Sequence, residues 1–282
     1  MRFARGDLAG AEEHFAFALE FFEDVAISPP LFHLTSLGIA SLNAGLLGRA
    51  DLARERLAQM MAAANQKNPI EMAWSGWLAS LIYLLLRENE RAEMLAARAL
   101  ELSAKHQFPY FAELAGCSLG LARAELGHPS EGVALIRQGI AGMVTLGKRL
   151  DVYTLFLAES QALSGAIGDA LETVERVLRP NRPDADKVLR PEAFRLRGEL
   201  QTKQGRREPA EADFRTALTL ARSMSAKALE LRATMSLARL LRDTGHRGEA
   251  HMALAEIYNW FTEGFDTADL KDATALLDEL AT

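Results

Sequence analysis

The sequence lacks the features that would place it among secreted, membrane or disulfide-stabilised proteins. Its single cysteine, Cys117, excludes an internal disulfide and a cysteine-based metal site. The strongly apolar, uncharged stretch 72–86 is shorter than the roughly 20 apolar residues that a membrane-spanning helix needs. The first ten residues contain no apolar segment of a signal peptide. These absences predict a cytoplasmic protein with no membrane partner.

Signals of nucleic-acid binding and of catalysis are also missing. The net charge is -6, whereas a nucleic-acid surface would be expected to be basic. The six histidines do not pair at metal-ligand spacing, and no catalytic serine, cysteine or histidine motif occurs. The stretch Gly142–Arg149 approaches a phosphate-binding loop, but Arg149 replaces the hydroxyl residue that would hold magnesium. We therefore expect no enzyme activity, no cofactor and no metal in this chain.

One spacing recurs along the whole sequence. From Gly205, a small residue follows at +5, an apolar residue at +9 and a small or apolar residue at +12. The first positions of the repeats, here called anchors, are Gly6, Gly48, Arg87, Gly127, Gly165, Gly205 and Gly245. Successive anchors lie 38 to 42 residues apart, and such a period is typical of a solenoid of stacked units.

Each repeat is predicted to be a helix A, a tight turn and a helix B. The anchor glycine suits a turn in the left-handed backbone region, which other residues resist. Positions +5, +9 and +12 share one buried face of helix B, and a small residue seven before the anchor is their contact on helix A. No long segment alternates with period two, so the predicted fold is all-α, an α-α superhelix of about seven repeats.

This frame resembles the tetratricopeptide repeat, although its period is longer than the roughly 34 residues of that repeat and the early tryptophan occurs only as Trp74. Segments 190–222, 230–250 and 258–280 resemble the closing repeats of bacterial multidomain regulators. In those proteins an adenylate or guanylate cyclase domain, or a winged-helix domain, precedes a STAND-type ATPase. The resemblance implies that the chain is the C-terminal sensor or interaction domain of such a regulator.

The repeat frame divides the chain into four segments. Residues 1–178 form an N-terminal half that begins within a repeat, and 192–266 form a C-terminal half. The three prolines of 179–191 indicate either a joint between the halves or a long surface loop. Residues 267–282 are predicted to be a capping helix with one apolar face.

No capping unit is visible at the N-terminal end of the sequence. We expect the helix around 14–22 to expose part of its apolar face, formed by Phe15, Leu19 and Phe22. Such a face favours fraying of the first helix or self-association through it.

The inner surface of the superhelix holds the candidate binding residues. Residues 13, 10, 6 and 3 before each anchor are expected to face it, which gives an apolar zone with Trp74, Trp77 and Leu81. The charged zone contains Glu192, Arg195, Glu199, Arg232, Arg239 and Arg242. Two interpretations stay open: these residues bind a ligand, or the tryptophans are inter-repeat core and Glu–Arg pairs of adjacent repeats (192 with 232, 199 with 239) tie the helices together.

The favoured function is a non-catalytic regulatory module that binds a protein segment or a small anionic effector in the groove and passes that state to upstream domains. Four arginines facing one concavity of an acidic protein predict an anionic partner. The alternative is a free-standing scaffold or adaptor. The coding sequence upstream of Met1 separates them, because an in-frame stop codon there would exclude the multidomain regulator.

Overall fold

The structure, a computed structural model, describes residues 2–24, 30–148, 151–179 and 187–281. Within these ranges the chain forms fourteen α-helices and two short 3-10 helices (Phe3–Arg5 and Lys187–Leu189), and no strand. The α-helices are α1 (Leu8–Asp24), α2 (Pro30–Leu46), α3 (Ala50–Ala63), α4 (Pro69–Leu85), α5 (Asn89–Lys105), α6 (Pro109–Glu125), α7 (Pro129–Thr145), α8 (Asp151–Leu163), α9 (Ile167–Leu178), α10 (Arg190–Lys203), α11 (Arg207–Ser223), α12 (Lys227–Asp243), α13 (Arg247–Tyr258) and α14 (Ala268–Ala281). The predicted all-α class is confirmed.

The helices alternate as the repeat frame requires. Helix α1 is a helix B, six complete A–B pairs follow from α2 to α13, and α14 packs against α12 and α13 at the end. Residues 180–186, the centre of the predicted joint, lie outside the described residues.

Local chemistry explains where the helices begin and turn. Several A helices open with proline, as at Pro30, Pro69 and Pro109, where the missing N–H costs no helical hydrogen bond. Asn68 caps α4 because its side-chain oxygen accepts from the N–H of Ile70. All six anchor glycines have positive φ, for example +75° at Gly205, as the turn model predicts.

Small residues bring the two helices of a repeat together. Residues at +5, +9 and +12 are buried in every repeat except the first, where Phe15 and Ala18 are half-buried. A Cβ atom added to Gly120 would meet Ile136 at 2.6 Å, and one added to Gly132 would meet the Gly120 carbonyl at 2.4 Å. Only glycine permits this approach, so the repeat frame describes the contact between helices A and B.

The A helices line the inside of the superhelix, and each packs against the next one. Their curvature is tight enough for Trp77 on α4 to reach Tyr153 on α8, two repeats further along. The superhelix also closes on itself, because α2 contacts α12. One apolar cluster spans this closure and joins residues of both ends: Leu8, Leu46, Leu47, Val188, Ala221, Ala226 and Leu229.

The first helix is anchored near its beginning and exposes apolar residues further along. Glu12 of α1 accepts two hydrogen bonds from Arg56 of α3, at 2.6 and 3.0 Å, and a third from Asn43 of α2. Phe17 is 72% exposed, and Phe15 and Leu19 are half-buried, whereas the side chain of Phe22 lies outside the described residues. Self-association through this end remains a prediction.

Candidate functional site

The apolar zone of the inner surface is largely filled by its own side chains. Trp77 is only 9% exposed, and its indole N–H donates to the Tyr153 hydroxyl at 2.8 Å. Cys117 and Leu114 of α6 are fully buried in the same cluster. Burial, together with Glu113, raises the pKa of the Cys117 thiol, which keeps it neutral and unreactive. Trp77 therefore lies in the core between repeats and offers little surface to a ligand.

Trp74 belongs to a half-buried group of aromatic residues at the N-terminal ends of α4 and α6. The centroid of its ring lies 4.7 Å from that of Trp77 and 5.2 Å from that of Phe111. The ring centroids of Tyr110 and Phe111 are 6.0 Å apart. Its indole N–H donates to the Thr35 hydroxyl at 2.9 Å. We call Trp74, Tyr110 and Phe111 the aromatic patch. Leu81, also half-buried, packs against the same core.

The later repeats present charged residues where the early ones present apolar residues. Together with Arg87 after α4, Glu125 at the end of α6 and Asp269 of α14, they form a set of eight interacting residues: Glu125, Glu159, Glu192, Glu199, Asp269, Arg87, Arg195 and Arg232. We call this set the charged patch. It contains five carboxylates and three guanidinium groups.

Arg195 lies between two carboxylates of its own helix. Its guanidinium donates to Glu192 at 2.5 Å and also to Glu199. Burial disfavours its charge, but Glu192 and Glu199 hold its pKa well above the ordinary value. Burial likewise opposes ionisation of Glu192, yet Arg195 and Arg232 hold the pKa of that carboxyl below its usual range. The pair is ionised because each charge stabilises the other.

Arg232 connects three helices. Its guanidinium donates to Asp269 of α14 at 2.7 Å and to the Leu85 carbonyl at the end of α4 at 2.5 Å. Its side chain is 15% exposed. Burial opposes the charge of Arg232, but Asp269 and Glu192 hold its pKa above the ordinary value. This arginine is thus a structural tie between the two ends of the superhelix.

Two carboxylates of the charged patch have no hydrogen-bonding partner among the described residues, Glu125 and Glu159. Burial, reinforced by Glu192 and Glu125, raises the pKa of Glu159 to about 8. Burial also raises the pKa of Glu125. One oxygen of Glu192, Oε2, is buried without a partner. The patch therefore has more acceptors than its own donors satisfy.

The Glu–Arg ion pairs predicted between adjacent repeats, 192 with 232 and 199 with 239, are not formed at ion-pair distance among the described residues. Glu199 accepts from Ser236, Arg232 donates to Asp269 and Arg242 donates to Glu279, and each of these pairs is 37 residues apart. The expected offset was 40 residues, the repeat period. Neighbouring A helices are shifted by about one turn relative to one another, which changes the partners.

Arg239 is the exposed arginine of the predicted set. It lies at the position of α12 that corresponds to Glu159 in α8 and Glu199 in α10, and no described carboxylate lies within ion-pair distance of it. Arg242 pairs with Asp243 and Glu279 instead. The expectation of a basic cluster is therefore corrected: three of the four arginines are paired, and carboxylates are in excess.

Sequence reasoning missed Arg87, Asp269, Phe111 and Tyr153 as members of this surface. Arg87 had a signal, because it is the one anchor that is not glycine, and it keeps the left-handed backbone with φ +59°. Asp269 had none, since it lies in the capping helix outside the repeat frame. Phe111 and Tyr153 lie outside the four inner positions of their A helices.

Other candidate chemistry finds no site in the part of the chain that the structure describes. Gly142–Thr145 form the last turn of α7, and Gly147 follows it with φ +69°, so the near match to a phosphate loop is a helix end. No three described His, Cys, Asp or Glu side chains are grouped to hold a metal ion. None of the described helices is long and apolar enough to span a bilayer.

No protein-family model and no curated protein sequence matches the chain. Solved structures do. NprR in complex with its cognate peptide NprX matches with a TM-score of 0.65 and 14% identity, over 95% of this chain and 77% of that one. A Rap protein complexed with competence and sporulation factor matches with a TM-score of 0.65 and 13% identity, over 99% of this chain and 75% of that one. A tetratricopeptide repeat protein from Parabacteroides merdae matches with a TM-score of 0.56 and 14% identity, over 99% of this chain and 94% of that one.

The chain has the fold of a tetratricopeptide-like repeat array. At these identities the likeness concerns the fold alone, and it confirms the resemblance that the repeat frame predicts. The array differs from a plain stack of repeats in its filled early half, its charged later half and its closed ends.

Proposed function

We propose that this tetratricopeptide-like array is a non-catalytic regulatory module that binds a peptide or protein segment on its inner surface. The observation that carries the proposal is the set of unpaired acidic side chains in the charged patch, where Glu125 and Glu159 lack hydrogen-bonding partners among the described residues and Glu192 keeps a buried oxygen unpaired. Two of the structures with this fold, NprR and Rap, were determined with a bound peptide or signalling factor, which supports a partner of this class.

These unpaired acidic groups favour a segment with at least one basic side chain, which would also favour ionisation of Glu159. A lysine or arginine would donate hydrogen bonds to the unpaired oxygens of the charged patch. An apolar residue of the same segment would contact Trp74 and Phe111 of the aromatic patch. A small anionic effector, which the sequence alone suggests, would meet three arginines that carboxylates of the protein already neutralise. Arg239, which has no carboxylate within ion-pair distance among the described residues, then limits how many positive charges the segment can carry.

The charge of the partner can be read from one variant, Arg239→Glu. Random heptapeptides displayed on phage are selected on the immobilised protein, and the enriched peptides are synthesised and titrated by fluorescence anisotropy. A basic peptide should bind Arg239→Glu at least about threefold more tightly than wild type, since a repulsive charge becomes attractive. The control Arg98→Glu makes the same change on the exposed face of α5, a helix B, and should leave affinity unchanged.

Two outcomes would contradict the proposal. Enriched acidic peptides that bind Arg239→Glu more weakly would show that the arginines select the partner. If no peptide is selected above background, the hypothesis that the inner surface binds a peptide is wrong.

We propose further that the array serves as the C-terminal sensor of a multidomain signalling ATPase with a cyclase or DNA-binding output domain. The support is the resemblance of residues 190–280 to the closing repeats of such regulators. The coding sequence upstream of Met1 tests this: a phosphate-binding loop in the same frame is expected, and a stop codon in frame would favour the alternative, a free-standing scaffold.

A further inference from the structure

The two ends of the superhelix meet along a seam. On one side are the A–B turns at Gly48 and Arg87 with the first turn of α3; on the other are residues 260–263 and the start of α14. The contacts join residues 147 to 212 positions apart in the chain. We call these polar contacts the clasp.

The clasp is complementary in charge. Arg54 donates to Asp266 at 2.9 Å, and Arg87 donates to Asp269 at 3.1 Å and to Asp272 at 2.6 Å. The N–H of Asp51, in the first turn of α3, donates to Glu263 at 3.0 Å. The early repeats contribute the guanidinium groups and a helix N-terminus, and the C-terminal residues contribute carboxylates.

Arg87 shows that the clasp is built into the sequence. Every other anchor is glycine, which adopts the left-handed turn without strain, whereas Arg87 adopts φ +59° with a side chain that resists it. That side chain reaches Asp269 and Asp272, which glycine could not do. Glycine, the residue best suited to this turn, is thus replaced by arginine at the A–B turn from which a charged side chain crosses the seam.

The clasp is weaker than the contacts between successive repeats. Asp266 is 67% exposed, Asp272 43% and Arg87 41%, so water and salt screen these pairs. A small cleft, partly open to solvent, lies beside them between Leu85, Leu231, Phe261 and Leu270. The apolar cluster around Leu8 and Leu229 closes the other edge of the seam without charges.

We propose that the clasp opens and closes the superhelix, with the apolar cluster around Leu8 and Leu229 as the hinge. Release of the charges lets α14 and residues 260–266 move away from α3 and from the turn at Arg87, and this movement controls access to the inner surface. Salt, or a partner that competes for Asp266, Asp269 and Asp272, shifts the array toward the open state. The proposal rests on the fold and does not require the proposed partner.

The opening can be measured as a distance across the seam. Spin labels at Gln59→Cys on α3 and Ala275→Cys on α14 occupy exposed positions outside the clasp, and the buried Cys117 does not compete for label. In wild type at ~0.05 M NaCl we expect one short distance; at ~1 M, where the Debye length is about 3 Å, a longer population should appear.

Arg87→Gly is the decisive variant, because glycine is the residue that the repeat uses at this turn. The fold should stay intact while the clasp loses two ion pairs, so the open population at low salt should rise on the order of threefold. The control Arg215→Ala removes an exposed arginine that pairs with Glu211 and Glu249 away from the seam, and should change nothing. A distance distribution equal to that of wild type at both salt concentrations would overturn the proposal.

A second pair of variants distinguishes the effect of disturbing the seam from the effect of straining a left-handed turn. Gly48 and Gly245 both have positive φ, +83° and +87°. A Cβ atom at Gly48 would meet Phe261 at 2.9 Å and Lys227 at 3.0 Å, whereas at Gly245 it would meet nothing within 4 Å. Gly48→Ala should open the seam and Gly245→Ala should not. Equal distances in both variants would contradict the clasp.

Discussion

The early and late halves of the inner surface occupy equivalent positions of one repeat frame and differ in chemistry. Ten residues before the anchor, the early half has Trp77 and Cys117, which are buried and uncharged, whereas the late half has Arg195 between two glutamates before the buried Met235 follows in the last repeat. The frame determines the contact between helices A and B and leaves the inner positions free to vary. The early half thereby gains a packed core, and the late half gains a surface able to recognise charge.

The largest expected effect concerns the packed early half. Trp77→Ala should lower the free energy of unfolding by about 4 kcal/mol, because it leaves a cavity between α4, α6 and α8 and deprives the Tyr153 hydroxyl of its donor. Urea unfolding followed by circular dichroism measures the loss. The control Met252→Ala, at a side chain 69% exposed on α13, should cost less than about 1 kcal/mol. Similar losses in both variants would mean that the early half is not a packed core.

A smaller effect is expected in the charged late half. Arg232→Met should destabilise the protein by about 2–3 kcal/mol, because Asp269 loses one of its two guanidinium donors and the Leu85 carbonyl loses its side-chain donor in a poorly hydrated place. Arg239→Met, on the same helix but exposed, should stay within about 0.5 kcal/mol of wild type. Thermal and urea unfolding of the two variants compare them directly. Equal effects would remove the distinction between tying arginines and surface arginines.

The smallest effect depends on pH. The pKa of Glu159, about 8, lies above its value in the unfolded chain, so between about pH 4.5 and about pH 8 the folded protein keeps a proton that the unfolded chain releases. The free energy of unfolding therefore falls as the pH rises through this window. Glu159→Gln removes the titrating group. Because Glu159 is only half-buried and water reduces the effect of its shifted pKa, the variant should be stabilised by only about 1 kcal/mol at pH 9 relative to wild type, with little gain at pH 5.

The groups that face Glu159 define the control for this prediction. Glu192 and Arg195 on α10, Glu125 on α6 and Arg232 on α12 act on it. Glu256→Gln, at an exposed position of α13, should give no difference between pH 5 and pH 9. A Glu159→Gln variant with the same pH slope as wild type would show that Glu159 is ionised in the folded protein at neutral pH.

Much of the fold could be predicted from the sequence because the repeat frame encodes local contacts. The glycines at the anchors have the left-handed backbone, and the small residues at Gly120, Gly132 and Gly198 lie where the two helices nearly touch. These requirements act within about one repeat, and hydrophobic periodicity together with residue size expresses them directly. The same frame also predicts which A-helix positions turn inward.

The sequence by itself determined the repeat, the turns and the order of the helices. Only the tertiary structure decided that Trp77 meets Tyr153 across two repeats, that Arg232 pairs with Asp269 and that Arg87 reaches α14. Small rotations and shifts between neighbouring repeats add up along the array, and their sum sets the curvature and the point at which the ends meet. No single repeat contains that sum, so the partners of the inner charges became visible only in the folded superhelix.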